Sequence, residues 1–220
     1  MSHSVSEEYL SQENIDEYFD ALAKMIQESG IGQHKILVVG GAAMALKYRD
    51  GRSTVDIDIC FREQNNLYAC CKRVAEEYGL PDDWINADVM HSDSFSYVLF
   101  ERAELYKTYD GVLEVFVAED LDLYCMKLVS FRPKDVQDMD LLANNLMNRG
   151  IRKEDVIDNI IRLYGNEYLI RNDDRKIRFM ESQFLVDPFY NSANQRVLEK
   201  SINQLRAGKG RVHDLIEEDE

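Results

Sequence analysis

The sequence lacks the features of several large protein classes. Positive charge is scarce: 26 Lys and Arg residues stand against 41 Asp and Glu residues, which gives a net charge of −15. No apolar run reaches the roughly 20 residues that a membrane-spanning helix needs. The start, MSHSVSEEYL, is polar and acidic, unlike a signal peptide. We therefore expect a cytoplasmic protein without a membrane segment and without broad, charge-driven binding to DNA.

Cysteine and histidine residues are few, and their spacing does not suit a metal site. The cysteines are Cys60, Cys70, Cys71 and Cys125, and the four histidines are scattered along the chain. Neither set has the spacing of a zinc site. We expect reduced thiols in a cytosolic protein, and we assign no function to a histidine.

The order of apolar and polar residues predicts an α/β fold in which a mixed sheet is followed by helices. We predict a core over residues 1–118, a helical region over 119–205 and a mobile acidic tail over 206–220. Apolar residues at steps of three and four predict a first helix from Gln12 to Ser29, ended by Gly30. The predicted strands are 36–39, 55–59, 95–100, 105–109 and 112–117. Further helices are predicted at 42–46, 65–78, 121–131, 133–147, 153–164, 166–179 and 195–205, with a loop over 182–192.

The most informative stretch runs from Ile36 to Phe61. It predicts a buried strand, a pair of glycines, a short helix and a second strand that carries two aspartates. Gly40 and Gly41 permit a sharp turn and the close approach of a ligand to the main chain. The first N–H groups of the helix that follows have no intrahelical partner, and this favours a phosphate group in front of them.

The second strand of this stretch carries the strongest candidates for chemistry. Alternation places Asp56 and Asp58 on one face, about 7 Å apart at the backbone, and Val55, Ile57 and Ile59 on the other. Two such carboxylates can converge on one or two hard divalent cations, as Mg²⁺-dependent phosphoryl transfer requires. The alternative is a polar strand face without a function.

The ordered set of glycine pair, short helix and the motif RSTVDID at residues 52–58 resembles the signature of the nucleotidyltransferase fold, the DNA polymerase β superfamily. Gly79–Asn86 and Met126–Asp138 also resemble small bacterial nucleotidyltransferase-like proteins related to AbiEii-type toxins of abortive-infection and toxin–antitoxin loci. The resemblance covers about residues 12–165. It implies a minimal nucleotidyltransferase core that moves a nucleoside monophosphate from a nucleoside triphosphate to an RNA, such as tRNA, or to a protein.

The resemblance also implies roles for individual residues. Asp56 and Asp58 would be catalytic and would bind two Mg²⁺ ions. The residues expected to bind the nucleotide are Gly40, Gly41, Arg52, Thr54 and Lys127. For Arg52 the alternative is a salt bridge to a neighbouring acid, and for Lys127 a side chain that extends to the surface. Related enzymes often have serine after the glycine, whereas this chain has Ala42, so backbone amides would have to contact the phosphates.

Two more carboxylates are catalytic candidates. The superfamily often takes a third carboxylate from a neighbouring strand, and Glu114 on the strand 112–117 is our candidate. Its alternative is an exposed charge on a half-buried strand. Asp135 could act as a general base, orient Lys127, or cap the helix that begins at Pro133.

Several interpretations stay open at this stage. Trp84 is either a packing anchor in a loop or one wall of the nucleotide pocket. The basic cluster Arg171, Arg175, Lys176 and Arg178 is either a solvated helix face or a contact for RNA or an acidic partner. A second functional hypothesis is a non-catalytic or weakly active protein of the nucleotidyltransferase fold that binds a nucleotide or a protein, as an antitoxin-like partner would. A third is a metal-dependent phosphoesterase that uses the same carboxylates.

Overall fold

A mixed five-stranded sheet forms the centre of the molecule. The computed structural model describes residues 10–48, 53–62, 66–166, 168–184, 200–204 and 206–207. The strands are β1 (His34–Val38), β2 (Ile57–Cys60), β3 (Ile85–Asn86), β4 (Glu104–Tyr109) and β5 (Leu113–Val117). They lie in the order β3-β2-β1-β5-β4, and β1 is antiparallel to β2 but parallel to β5. This architecture confirms the predicted α/β class.

Helices account for most of the rest of the described chain. They are α1 (Gln12–Ser29), α2 (Gly40–Lys47), α3 (Tyr68–Tyr78), α4 (Asp120–Ser130), α5 (Val136–Asn148), α6 (Lys153–Tyr164), α7 (Tyr168–Arg171) and α8 (Asp174–Gln183). Short 3₁₀ helices occupy Asp88–His91, Tyr97–Glu101 and Pro133–Asp135. No described helix combines the length and apolar character that crossing a lipid bilayer requires.

The first helix has the bounds that its sequence pattern predicts. Ile15, Phe19 and Ile26 are buried, and Gly30 ends the helix in the left-handed conformation. The ring of Tyr18 on the same helix meets Trp84 edge to face, with the ring centroids 5.7 Å apart. The indole N–H of Trp84 donates to a carbonyl on α3, and the side chain is buried. Trp84 is therefore a packing anchor between α1 and α3.

Three predicted elements differ from the structure. The predicted strand 95–100 is wrong, because the Ser96 hydroxyl accepts from the N–H of Val98 and starts a 3₁₀ turn there. The single helix predicted over 166–179 is divided into α7 and α8, since Asp173 lies between them and caps α8. The loop predicted over 182–192 begins within α8, and its residues from 185 onward lie outside the described residues.

The C-terminal predictions are only partly covered. Residues 200–204 are helical, in agreement with the helix predicted over 195–205. The predicted acidic tail lies outside the described residues from residue 208 onward, and the proposed domain limits remain predictions.

Candidate active site

The sheet brings the start of α2 directly against β2. Val38 pairs with Ile59 across the two strands, and the N–H of Val39 donates to the Asp58 carbonyl at 3.0 Å. Helix α2 begins at the next residue, Gly40, whose φ of 65° lies in the left-handed region. The unpaired N–H groups of the first helical turn therefore lie next to the Asp58 side of the sheet.

Glycine is required at both positions of the pair, because side chains of this chain lie against them. A Cβ atom on Gly40 would stand 2.6 Å from Oδ2 of Asp58, and one on Gly41 would stand 2.7 Å from Oγ1 of Thr54. Neither distance is compatible with an ordinary contact. The groups that lie close to the main chain at these glycines are therefore the side chains of Asp58 and Thr54, which are themselves candidate site residues.

The segment that carries the aspartates is bound to the rest of the fold at Thr54, before them, and along strand β2, after Asp56. Thr54 exchanges two main-chain hydrogen bonds with Leu10, at 2.6 and 2.9 Å, just before α1. Strand β2 begins only at Ile57, so Asp56 lies in the bend before it. The expectation that Val55 joins the apolar face is wrong: Val55 precedes the strand and is 44% exposed.

The carboxylates of Asp56 and Asp58 carry charge that no described residue offsets by direct contact. Among the described residues, no hydrogen bond or ion pair reaches either carboxylate. Burial raises the pKa of Asp58, and the charge of Asp56 raises it further. The nearby cations Arg132, Lys134 and Lys127 act in the opposite direction but do not cancel the rise. A cation bound between the two aspartates would relieve this repulsion.

The opposite wall of the site carries a buried ion cluster. The ammonium of Lys127 on α4 is 2.9 Å from Oδ1 of Asp135 and 2.8 Å from Oδ2 of Asp138. The guanidinium of Arg132 binds the second oxygen of Asp135 at 2.7 Å. Lys127 and Asp135 are each only 3% exposed. Lys127 is therefore fixed inside the site, and its side chain does not extend to the surface.

Of the three roles considered for Asp135, the contacts favour orienting Lys127. Burial alone would raise the pKa of Asp135, but hydrogen bonds and charges from Arg132 and Lys127 outweigh burial and lower it. A carboxylate held in its charged form by two cations is a weak proton acceptor. Its side chain also makes no capping hydrogen bond to α5.

Two adjoining cavities meet at Asp58, Lys127 and Arg132, and together they form the cleft of the site. The first has a volume of about 600 Å³ and is bordered by Gly41, Thr54, Asp56, Lys134 and Asp135, among others. The second has a volume of about 470 Å³ and is bordered by Gly40, by residues 88–94 and by α4. Seven of the predicted site residues thus surround one cleft: Gly40, Gly41, Thr54, Asp56, Asp58, Lys127 and Asp135.

Comparison with known proteins gives the family. A family model described as "Nucleotidyltransferase of unknown function (DUF6036)" matches residues 14–182, which is most of the chain. The chain belongs to this family. No curated protein and no solved structure matches it significantly. The predicted nucleotidyltransferase relationship is thereby confirmed, and a nucleotide is the substrate class that the family description indicates. The closer resemblance to AbiEii-type toxins remains a prediction.

The structure does not bring Glu114 to the cleft of this DUF6036 protein. Strand β1 lies between β2 and β5, and the β5 end level with Asp58 is occupied by buried Ala118, whose N–H donates to Val38. Glu114 lies four residues further along, about 13 Å away along the strand. Its carboxylate binds Lys35 at 2.7 Å and is 35% exposed. The contacts therefore favour the alternative, a charge at the surface.

The remaining predicted residues have different outcomes. Arg52 lies outside the described residues, so its role remains a prediction. Within the basic cluster on α7 and α8, Arg175 binds Asp173 at 2.7 Å and Lys176 donates to the Val129 carbonyl at 2.6 Å. These two side chains hold local structure.

Sequence reasoning missed Arg132 as a site residue. It borders both cavities and binds Asp135. A signal was present, because Arg132 begins the RPKD motif that the resemblance singled out. Asp88, Asp93 and the serines of the second cavity gave no signal, since they lie in an irregular segment whose position depends on the tertiary fold.

The residues of this site fit Mg²⁺, as the nucleotidyltransferase family would require. Asp56 and Asp58 offer hard oxygen ligands with which no described residue pairs, and Mg²⁺ is usually held by one or two carboxylates together with water and substrate phosphates. Across the described ranges, no group of three or more His, Cys, Asp or Glu side chains is arranged to hold a metal. The set therefore suits a cation that arrives with a nucleotide.

Proposed function

We propose that this protein is a Mg²⁺-dependent nucleotidyltransferase that moves a nucleoside monophosphate from a nucleoside triphosphate to a hydroxyl of an RNA, such as tRNA, or of a protein. One observation carries the proposal: the carboxylates of Asp56 and Asp58, with which no described residue pairs, share a cleft with Lys127, Arg132 and Lys134. A nucleoside triphosphate with its divalent cation matches both signs of charge.

Different residues of the cleft would bind the phosphates, offset their charge and hold Mg²⁺ in such a reaction. The first N–H groups of α2, at Gly40 and Gly41, are available to donate to phosphate oxygens. Lys134 and Arg132 would offset phosphate charge, and Lys127 would face the leaving pyrophosphate in an orientation fixed by its two aspartates. Asp56 and Asp58 would hold Mg²⁺, which supplies charge stabilisation and lowers the pKa of the attacking hydroxyl. Positioning and charge neutralisation supply most of the effect.

A bacterial defence or toxin–antitoxin system is the biological setting of this proposed activity. The support for a bacterial defence or toxin–antitoxin role is the resemblance of Gly79–Asn86 and Met126–Asp138 to AbiEii-type proteins. In that setting a cognate toxin or antitoxin would be the partner. Growth arrest on expression of the protein in a bacterium, abolished by Asp56→Ala/Asp58→Ala, would support this role. Unimpaired growth would count against it.

A non-catalytic nucleotide-binding or antitoxin-like protein is the second candidate. Two observations favour it: the third carboxylate expected from Glu114 is remote from the cleft, and Ala42 stands where related enzymes often have serine. In this case the cleft would bind a nucleotide without transferring it.

Label transfer decides between the two candidates. The protein is incubated with each α-phosphate-labelled nucleoside triphosphate, Mg²⁺, total tRNA and cell lysate, beside Asp56→Ala/Asp58→Ala. Label on a tRNA or protein band, absent with the variant, is the expected result and identifies the base and the class of acceptor together. No label with any nucleotide, from folded protein, would favour the non-catalytic candidate.

Thermal unfolding tests nucleotide binding by itself. Nucleoside triphosphate at about 100 times its Kd should add roughly 2.7 kcal/mol to the free energy of unfolding. The gain should require Mg²⁺ and should vanish in Asp56→Ala/Asp58→Ala. No shift with any nucleotide would contradict both candidates that bind one.

A further inference from the structure

The two cavities of the cleft differ in their own charges. Beyond the three residues that they share, the first cavity adds the cation Lys134 and the carboxylate of Asp56, which pairs with no described residue. Its other carboxylates, Asp135 and Asp138, bind Lys127. The second cavity is also bordered by the shared cations Lys127 and Arg132, which Asp135 and Asp138 already bind. It adds two carboxylates, from Asp88 and Asp93, and no further cation among its described lining residues. The second cavity is therefore the acidic side of the cleft.

The charge of the second cavity is available to a ligand. Asp88 and Asp93 are exposed, and neither forms an ion pair with a described residue. The ammonium of Lys176 interacts with the charge of Asp93 and donates to the Val129 carbonyl at 2.6 Å. Serine hydroxyls and the apolar side chains of α4 complete the lining. Such a surface attracts cationic groups and repels a phosphodiester backbone.

The acidic wall formed by Asp88 and Asp93 is followed in the chain by a segment that helix α6 holds in place. The Tyr164 hydroxyl donates to the Ser94 carbonyl at 2.8 Å, and the Ser96 hydroxyl donates to the Leu163 carbonyl. Further along, Arg102 binds Asn159 at 3.3 Å. Residues 94–102 are thus tied to α6, next to the two carboxylates.

We propose that the second cavity receives the acceptor and that this acceptor is a hydroxyl side chain on a basic protein segment. The inference rests on the proposed function, and it selects a protein in place of an RNA. The hydroxyl oxygen would attack the α-phosphorus, forming a new P–O bond while the bond to the β-phosphate bridging oxygen breaks. Pyrophosphate leaves and the hydroxyl proton passes to solvent. Asp88 and Asp93 bind the cationic side chains that flank the hydroxyl.

Binding measurements test the acceptor class without requiring turnover. The full chain, with Mg²⁺ and the non-hydrolysable analogue of each nucleoside triphosphate, is titrated into a labelled serine peptide rich in Lys and Arg and, separately, into labelled tRNA. The variant Asp88→Asn/Asp93→Asn removes the acidic wall. Asp82→Asn/Asp83→Asn is the matched control, because it changes net charge equally at exposed residues that do not border the cavity.

We expect the basic peptide to bind and tRNA not to bind. The Kd for the peptide should rise roughly tenfold in Asp88→Asn/Asp93→Asn, as expected for the loss of two partly exposed charge contacts, and remain unchanged in the control. Nucleotide affinity should be the same in all three proteins. If transfer is observed, the variant should raise the KM for the peptide and leave kcat unchanged.

Three outcomes would overturn the inference: tRNA binds in preference to the peptide, the two double variants behave alike, or the peptide does not bind at all. Each leaves the proposed function intact if nucleotide still binds with Mg²⁺ and fails to bind Asp56→Ala/Asp58→Ala. Loss of nucleotide binding in the unaltered protein would instead remove the proposed function.

Discussion

The two walls of the cleft differ in whether their charged side chains form ion pairs. On the β2 wall, the carboxylates of Asp56 and Asp58 face the cavity, and none of the described residues pairs with them. On the wall formed by α4, α5 and the turn between them, Lys127 lies between Asp135 and Asp138, and Arg132 binds Asp135 as well. The first wall leaves negative charge for a ligand to offset, whereas the second has already offset its own.

The ion pairs on the wall of α4 and α5 therefore stabilise the fold, whereas the carboxylates on the β2 wall can bind a cationic ligand. Breaking a buried ion pair leaves an uncompensated charge and costs several kcal/mol. Removing a charge that has no partner relieves repulsion instead. Removal of a carboxylate should therefore move stability in opposite directions on the two walls, and loss of Asp56 and Asp58 should abolish the response to Mg²⁺ and nucleotide.

The largest effect on stability is expected from Asp135→Ala. The substitution leaves Lys127 buried with one carboxylate and deprives Arg132 of its partner, so the free energy of unfolding should fall by about 3 kcal/mol in urea titrations at pH 7. Asp82→Ala, an exposed residue without a described partner, is the control and should change it by less than about 0.5 kcal/mol. A loss below about 1 kcal/mol for Asp135→Ala would show that the cluster does not stabilise this wall.

The same substitution should lose its effect in acid. The pKa of Asp135 is lower in the folded protein than its ordinary value, so its contribution is fully present at neutral pH. It should decline as the pH falls below about 4 and disappear once the pH passes the lowered folded value. Unfolding curves for both proteins across this range measure the decline, and a constant difference would contradict it.

Gly40→Ala should have the next largest effect. Its φ of 65° already strains an alanine, and the new Cβ would stand 2.6 Å from Oδ2 of Asp58, so we expect a loss of about 2 kcal/mol. Gly30 has nearly the same φ, 64°, with nothing within 4 Å of its Cβ position. Gly30→Ala should therefore cost about 1 kcal/mol, which is the strain alone.

A double-mutant cycle isolates the contact with Asp58. In the Asp58→Ala background the penalty of Gly40→Ala should fall to that of Gly30→Ala, because the carboxylate that meets the new Cβ is gone. Equal penalties in both backgrounds would show that the glycine is needed for its backbone conformation alone.

Asp58→Asn should be mildly stabilising in Mg²⁺-free buffer containing EDTA. Burial and Asp56 raise the pKa of Asp58 despite Lys127, Arg132 and Lys134, so its charged form weakens the fold at neutral pH. We expect a gain of about 1 kcal/mol at pH 7, the order of one like-charge repulsion between groups in contact with solvent. The unaltered protein loses this stability as the pH rises from about 4 through the raised pKa, so the two proteins should converge in acid.

With Mg²⁺ and nucleotide present, the unaltered protein should become more stable than Asp58→Asn. The unaltered protein gains stability from the bound ligand, while Asp58→Asn does not. A variant that is less stable than the unaltered protein at pH 7 without Mg²⁺ would show that the carboxylate has a protein partner after all.

Short-range patterns in the sequence were enough to predict the β2 wall of the cleft. Asp56, Asp58 and the glycine pair lie within one strand–helix–strand unit, so their spacing along the chain largely determines how they meet. The bounds of α1 were predictable for the same reason, since a periodic apolar face ends at Gly30.

The wall formed by α4, α5 and the turn between them depends on contacts that sequence spacing does not reveal. Lys127 and Asp135 are eight residues apart and meet only because the chain reverses at Arg132-Pro133. The resemblance to known proteins suggested Lys127 and Asp135, but not that Arg132 completes the cluster. Strand order was equally hidden: an apolar alternation predicts β5 and its buried face, yet not that β1 separates it from β2.

Glu114→Gln, the smallest expected effect, tests this last point. The Lys35–Glu114 pair is exposed, so its loss should change the free energy of unfolding by less than about 0.5 kcal/mol. Nucleotide-dependent stabilisation and label transfer should stay within about twofold of the unaltered protein, since the carboxylate lies four residues along β5 from the level of Asp58. A hundredfold loss of transfer with unchanged stability would require Glu114 to act on the substrate. That result would mean that the strands rearrange when nucleotide binds, because β1 otherwise keeps Glu114 from the cleft.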